Sequence, residues 1–290
     1  LAPAKVNLYL HVTGKRDDGY HLLDSLVVFA GLGDTLTIGP ASELRLSVEG
    51  PRADGLGEVE DNLVMRAARL LAERRGLAYG AEMTLAKTLP VGAGLGGGSA
   101  GAAAALSALI RLWKQNPGRA ELMEMALELG ADVPVCLAGR ASLVSGIGEK
   151  LSVAPPLPDA WLVLANPGVT LATPDVFGAL DLGGGFSDPN PLINAPKDAE
   201  GLGRQLALRR NDLTRPAISF APGIARVLDE LEGLAGCRLA RMSGSGATCF
   251  ALMDGAPEAA AASLKLSRDH RDWWVAAAPL LAVAAPGLTD

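Results

Sequence analysis

The segment Pro90-Val91-Gly92-Ala93-Gly94-Leu95-Gly96-Gly97-Gly98-Ser99 constrains this chain more than any other. Five of the seven positions from 92 to 98 are glycine. An alternating stretch (Ala81, Met83, Leu85) predicts a strand before it, and an alanine-rich run predicts a helix after it, to about Lys114. Glycines let the backbone approach a ligand closely and turn several N–H groups toward one point. A helix N-terminus directly behind them adds partial positive charge. Together these describe an anion site suited to a polyphosphate. A tight turn with close helix packing is the plainer reading, which Gly101 and the alanines behind it would permit, although a plain turn rarely needs so many glycines.

Two familiar phosphate loops are excluded. Gly92, Gly94 and Gly97 fit the dinucleotide spacing G-x-G-x-x-G. That motif needs an opening βαβ unit and an acidic residue about 20 positions on, at the end of a second strand. Here Asn116-Pro117-Gly118 stands in that region and a helix pattern follows (Leu122, Met125, Ala126, Leu129). A dehydrogenase is disfavoured, and without G-x-x-x-x-G-K-[ST] the chain is not a P-loop enzyme.

The first half opens as antiparallel β. Val6, Leu8, Leu10 and Val12 alternate with Lys5, Asn7, Tyr9 and His11, which predicts a half-buried strand with the latter four on one face. Arg16 to Gly19 is turn chemistry. Strands are expected over residues 22–29, 35–38 and 44–48, then a helix capped by Asp61-Asn62 and running to about Arg75. Pro155-Pro156-Leu157-Pro158 is the clearest linker, and residues 183–197 read as a mobile loop. Beyond it come a helix around Ile224–Leu231, a glycine turn at 243–246 leading to a strand, a helix from Glu258 and a strand from Trp274.

Length and composition set the outer bounds. A chain of 290 residues suits two domains, divided here as 1–150 and 151–290. With 49% hydrophobic, 4% aromatic and 20% charged residues, the core must be built from Ala, Val, Leu and Ile. The net charge of −6 and the lack of a basic cluster argue against a nucleic-acid partner. Three cysteines without C-x-x-C spacing indicate neither disulfides nor zinc, so a cytoplasmic setting is expected. No apolar run approaches about 18 residues, so no membrane span is expected. The chain opens at Leu1, already in a strand pattern, so the natural N-terminus is expected to lie upstream and any targeting segment there is unreadable.

Three segments carry a family resemblance: Pro3-Ala4-Lys5-Val6-Asn7-Leu8, the glycine loop, and Gly244-Ser245-Gly246-Ala247. They resemble the three motifs of the galactokinase, homoserine kinase, mevalonate kinase and phosphomevalonate kinase superfamily. Gly19-Tyr20-His21, Gly33-Asp34, Asp61-Asn62-Leu63 and Leu129-Gly130-Ala131-Asp132-Val133-Pro134 are similar to the branch that phosphorylates a methylerythritol 2-hydroxyl on a cytidyl diphosphate, in isoprenoid precursor synthesis. A homoserine- or mevalonate-type kinase is the alternative, and a non-catalytic nucleotide-binding protein the rival outside the class. The resemblance implies an α+β fold of two domains, ribosomal-protein-S5-like at the N-terminus and ferredoxin-like at the C-terminus, with ATP between them and Mg²⁺ accompanying it. It departs at Ala100-Gly101, where the superfamily usually has Ser-Asn, leaving Ser99 as the hydroxyl there.

Roles follow from the resemblance residue by residue. Pro90, Val91, Gly92, Ala93, Gly94, Leu95, Gly96, Gly97, Gly98, Ser99 and Ala100 would hold the ATP phosphates, with Asn62 and Lys87 on the adenine side. Asp132 would be the base, with Lys5 beside it to offset charge on the transferred group and Asn7 to orient the hydroxyl. From spacing alone Asp132 reads equally well as the N-cap of a helix starting near Pro134, and Asn62 as the cap of its own helix. Tyr20 and His21, with Thr173 and Phe177 from the second half, would hold the cytosine; without the resemblance Tyr20 and His21 are ordinary strand-edge residues. No protein metal site is expected, and His11 and His270 have no assigned role.

Overall fold

Two long strands organise the molecule, of which the computed structural model describes residues 1–284 apart from 56, 57, 79, 182 and 184. β1 (Ala2–Lys15) and β2 (His21–Ala41) pair antiparallel across the expected turn, where Arg16 N donates to Tyr20 O at 2.8 Å. The separate strands expected over 22–29 and 35–38 are one strand that exchanges partners along its length. Its first half pairs with β1 and with β5 (Ser142–Gly146), and its second half with β4 (Gly80–Ala86). β3 (Leu44–Glu49) joins β4 in parallel, so the opening is not purely antiparallel. β6 (Lys150–Val153) completes a hairpin with β5.

Four helices pack on this sheet: α1 (Leu63–Arg75), α2 (Gly97–Leu112), α3 (Arg119–Leu129) and α4 (Val133–Ala138). Met65, Leu71, Met83, Leu106 and Met125 are central to their shared core. The short strands β5 and β6 have too few residues to show a period, which is why the sequence pattern does not reveal them, whereas α4 is the short helix that the Asp-x-Pro cap reading allows.

The second half begins with β7 (Trp161–Asn166), α5 (Thr173–Gly178), α6 (Ala199–Ala207), α7 (Thr214–Phe220) and α8 (Gly223–Glu232). It continues with β8 (Cys237–Met242), β9 (Cys249–Met253), α9 (Ala256–Asp269) and β10 (Trp274–Leu281). The strands lie in the order β10-β7-β9-β8, all antiparallel. β10 also pairs with β2 through Leu280↔Ala30 and Leu281↔Phe29, so the two sheets are joined. Residues 185–197 lack helix and strand, yet they are tied down: Leu192 is buried, Asn190 N donates to Asp24 Oδ2 at 2.6 Å, and Arg209 grips the carbonyls of Asn190 and Pro191. Among the described residues no helix is long and apolar enough to cross a membrane.

β1 departs from its predicted alternation in two ways. It is buried on both faces from Ala2 to Val12, because Ala4, Val6 and Leu8 pack with second-half residues such as Leu162 and Phe250 in one core cluster, and Leu10 and Val12 with others such as Val163 and Leu213 in a second. Its register also slips, Asn7 pairing with Val27 but Tyr9 with Leu26. Two residues on β1 thus oppose one on β2, and a bulge of this kind exchanges the faces beyond it. Lys5 and Asn7 line a large cavity; past the bulge Leu10 lines it instead, while Tyr9 joins Ala4, Val6 and Leu8 in the core.

Candidate active site

The cavity, of about 930 Å³, is walled by the glycine segment, β1, the 16–20 turn and α5. The carbonyls of Gly92, Ala93, Gly94, Leu95 and Gly96 are each taken by the protein. Their donors are Leu171 N (3.3 Å), Thr248 N (3.1 Å), Ser243 Oγ (3.0 Å), Lys5 N (2.9 Å) and Ala100 N (2.8 Å). Gly97, Gly98 and Ser99 precede the first backbone bond of α2, so their N–H groups have no intrahelical acceptor. What the segment has left to offer a ligand is donors, at the positive end of a helix. Gly94 and Gly96 need glycine, with φ of 74° and 62°. A Cβ on Gly94 would strike Ser243 O, and one on Gly96 would lie 2.5 Å from Lys5 Cγ. Residues 90–99 all line the cavity; Ala100 does not, being buried in α2 with its N–H bonded to Gly96 O.

Lys5 and Asp132 meet in the middle of the cavity. Lys5 Nζ lies 3.0 Å from Asp132 Oδ2, with the lysine side chain 5% exposed and the carboxylate 45% exposed. Asp132 does occupy the N-cap position of α4, but its side chain makes no capping bond. Its backbone carbonyl accepts from Cys136 N, while burial and then the Asp132 carboxylate push the Cys136 thiol above its ordinary range. Lys5 also donates to Asn7 Oδ1 at 2.6 Å, and Asn7 Nδ2 to Ser25 Oγ at 2.8 Å. Ser243 Oγ ties the loop to β1 by accepting from Asn7 N and donating to Gly94 O. Sequence reasoning missed Ser25 and Ser243; the Ser-Gly-Ser-Gly turn was the one available signal, for the latter.

Asn62 and Lys87 also line the cavity, Lys87 beside Gly97 of the glycine loop. Asn62 caps α1, accepting from Val64 N at 2.9 Å. Lys87 forms a buried ion pair with Asp34 Oδ2, and Asp34 Oδ1 accepts from Thr88 N (2.8 Å) and Leu89 N (3.0 Å). Asp34 therefore fixes the turn that leads into the glycine loop, a role that the sequence did not reveal.

Tyr20, His21, Thr173 and Phe177 line the cavity together with Lys15. His21 and Phe177 stack with centroids 5.2 Å apart and planes at 24°. At that separation they touch and leave no slot for a third ring. Burial, and then the charge of Lys15, lower the His21 pKa and favour the neutral imidazole. Thr173 Oγ1 and Ser245 Oγ share a hydrogen bond at 2.9 Å. Among the described residues no group of three or more His, Cys, Asp or Glu side chains is gathered that could hold a metal by itself.

Comparison with known proteins fits this geometry. The pattern of the family described as "GHMP kinases N terminal domain" matches residues 62–140, and that of "GHMP kinases C terminal" matches 191–272. A 4-diphosphocytidyl-2-C-methyl-D-erythritol kinase of Paramagnetospirillum magneticum is 57% identical over 280 residues, 97% of each chain. The chain belongs to the GHMP kinases. As a GHMP kinase it is an ATP-dependent small-molecule phosphotransferase. A second relative, the enzyme of the same name from Rhodospirillum rubrum, is 53% identical, over 97% of this chain and 91% of its own. A crystal structure of a 4-(cytidine 5'-diphospho)-2C-methyl-D-erythritol kinase superposes with a TM-score of 0.78 at 36% identity, covering 97% of this chain and 98% of its own. Homoserine kinase from Cytophaga hutchinsonii (TM-score 0.68, 20% identity, 97% and 93% covered) shares the GHMP kinase fold.

Proposed function

We infer that this chain transfers the γ-phosphate of ATP to the 2-hydroxyl of 4-diphosphocytidyl-2-C-methyl-D-erythritol. The observation that carries the reading is one cavity holding three parts in sequence: a donor-lined glycine loop, a lysine–aspartate pair, and an aromatic corner. Relatives bearing that enzyme name, 57% and 53% identical over almost the whole chain, support the substrate. A homoserine or mevalonate substrate draws only on likenesses at 20% and 15% identity, which are likenesses of fold alone.

The loop amides would hold the phosphates, and Asn62 and Lys87 the adenosine side. Magnesium, expected with ATP, would supply charge neutralisation, with Ser99 as the loop hydroxyl that would help to hold it. The substrate hydroxyl oxygen forms the new bond to the γ-phosphorus, the bond to the ADP oxygen breaks, and the hydroxyl proton passes to Asp132. Lys5 faces the charge that accumulates on the transferred group. Half-exposed Asp132 is open to a hydroxyl, whereas Lys5 is not open to water.

The cytosine would lie against the outer face of the His21–Phe177 pair, with Tyr20 beside it. Neutral His21 offers one donor and one acceptor to the base edge, which cytosine and uracil present in opposite senses. The same proposal divides the chain into 1–150, ribosomal-protein-S5-like, and 151–290, ferredoxin-like. The coil of 155–160 supports a boundary in that neighbourhood, and the βαββαβ succession with strand order β10-β7-β9-β8 supports the second label. A cytoplasmic setting fits the free thiols of Cys136, Cys237 and Cys249.

Steady-state kinetics with the cytidyl substrate and its uridyl analogue tests this. A mismatched base edge leaves each unsatisfied group costing about 1–3 kcal/mol, so the cytidyl substrate should win by at least about tenfold in kcat/KM, with part of that preference lost in His21→Ala. Equal use of both analogues would sink the cytidyl assignment.

A further inference from the structure

We propose that Ser25 is a positioning residue for phosphoryl transfer, setting which end of the Asn7 amide faces Lys5. The inference rests on the kinase reading above and adds a residue that it does not use. Ser25 sits on β2, 1% exposed, opposite Leu10 and on the cavity side of the bulge.

The polarity follows from counting protons. The Ser25 hydroxyl has one hydrogen, and it lies 2.5 Å from Tyr9 O, a carbonyl with none to give. That hydrogen is therefore committed to Tyr9, and only lone pairs face Asn7. The Asn7 group 2.8 Å away must then be the NH₂, which turns Oδ1 toward Lys5 Nζ at 2.6 Å. Reversing the amide would set its NH₂ against the lysine ammonium, donor against donor. The result is a one-way chain of donors from Lys5 through Asn7 and Ser25 to the Tyr9 carbonyl, while Asp132 accepts separately from Lys5. Lys5 spends one N–H on Asn7 and one on Asp132, keeping a third for a ligand.

Asn7 is thereby restricted as well. Its oxygen accepts from Lys5 and one N–H goes to Ser25, which leaves one N–H and the second lone pair of Oδ1 for a substrate. Removing the Ser25 oxygen leaves a buried amide held at one end only, and lets Lys5 and Asn7 move together out of register with the transferred group.

The test compares Ser25→Ala, Ser25→Thr and the wild type in the full-length chain, with circular dichroism confirming the fold. Ser25→Ala should lower kcat by about tenfold while KM for ATP and for the cytidyl substrate stays within about twofold, misplacement being felt mainly at the transition state. Ser25→Thr keeps the hydroxyl and should recover most of the rate. On a Lys5→Ala background Ser25→Ala should cost almost nothing further, because its effect runs through Lys5. A folded Ser25→Ala with wild-type kcat, a Thr variant as slow as the Ala variant, or full additivity with Lys5→Ala each overturns the proposal. No turnover of the cytidyl substrate by the wild type overturns the kinase reading instead.

Discussion

β1 carries two buried polar clusters on opposite sides of its bulge, and they are put to different use. On the cavity side, Lys5 and Asn7 are bonded to Ser25 and Asp132, and by count one N–H of each is left over. On the core side, Tyr9 and His11 meet Asp24 and the 185–212 segment, which closes over them. Tyr9 Oη donates to Asp24 Oδ1 at 3.1 Å, Asn190 N to Asp24 Oδ2 at 2.6 Å, and Arg210 N to His11 Nε2 at 3.2 Å. Arg209 lies 5.5 Å over the Tyr9 ring. The first cluster keeps donor capacity behind a half-exposed carboxylate; the second binds distant chain segments together, with His11 Nδ1 left without a hydrogen-bond partner. Residue type alone does not distinguish a reacting group from a fastener. Which face of the bulge it occupies does.

The two clusters should respond differently to substitution. The largest effect is expected at Gly96→Val, on the cavity side, where the new Cβ meets the Lys5 side chain and the backbone φ of 62° opposes a branched residue. The folded variant should bind no ATP measurably by calorimetry and lose on the order of 10²-fold or more in turnover, as displaced catalytic groups do. Normal nucleotide affinity in a folded Gly96→Val protein would remove ATP from the glycine loop.

Asp24→Asn probes the core side and should leave kcat within about twofold. Burial pushes the Asp24 carboxyl up, but hydrogen bonds from its neighbours, Asn190 N–H and Tyr9 among them, with His11 Nδ1 at 3.6 Å, hold it below the usual carboxylate range. A folded pKa lowered in this way stabilises the protein above the unfolded value of about 3.9 and is lost as pH falls through the folded value. Asp24→Asn should therefore cost about 1–3 kcal/mol near neutrality, and the gap from wild type in thermal unfolding should narrow below about pH 4. A folded Asp24→Asn with kcat reduced tenfold would erase the distinction between the clusters.

Part of the cavity lining was legible in the sequence, for physical reasons. Five crowded glycines before a helix pick out a segment that lines the cavity, and the alternation of Lys5 and Asn7 correctly puts both on one face. The same alternation fails at Tyr9, because nothing in Asn7-Leu8-Tyr9 marks the bulge; the register depends on β2. Ser25, Ser243 and Asp34 were not legible because each acts through a partner distant in sequence, such as the Tyr9 carbonyl, Gly94 O or the Thr88 and Leu89 amides. The helices α5, α6 and α7 escaped notice because none exceeds nine residues, too few for a period to emerge.

The central claim is that Asp132 does chemistry and does not merely occupy the end of a helix. Its side chain makes no capping bond, so Asp132→Asn removes no cap and keeps nearly the same shape, although it takes the counter-charge from buried Lys5, and the fold of the variant is checked by circular dichroism. Single-turnover and steady-state measurements on Asp132→Asn, with ATP affinity determined separately, address this most directly. The account predicts unchanged ATP binding with turnover lower by about 10²–10⁴-fold, the worth of a positioned general base. Turnover near the wild-type rate would contradict it.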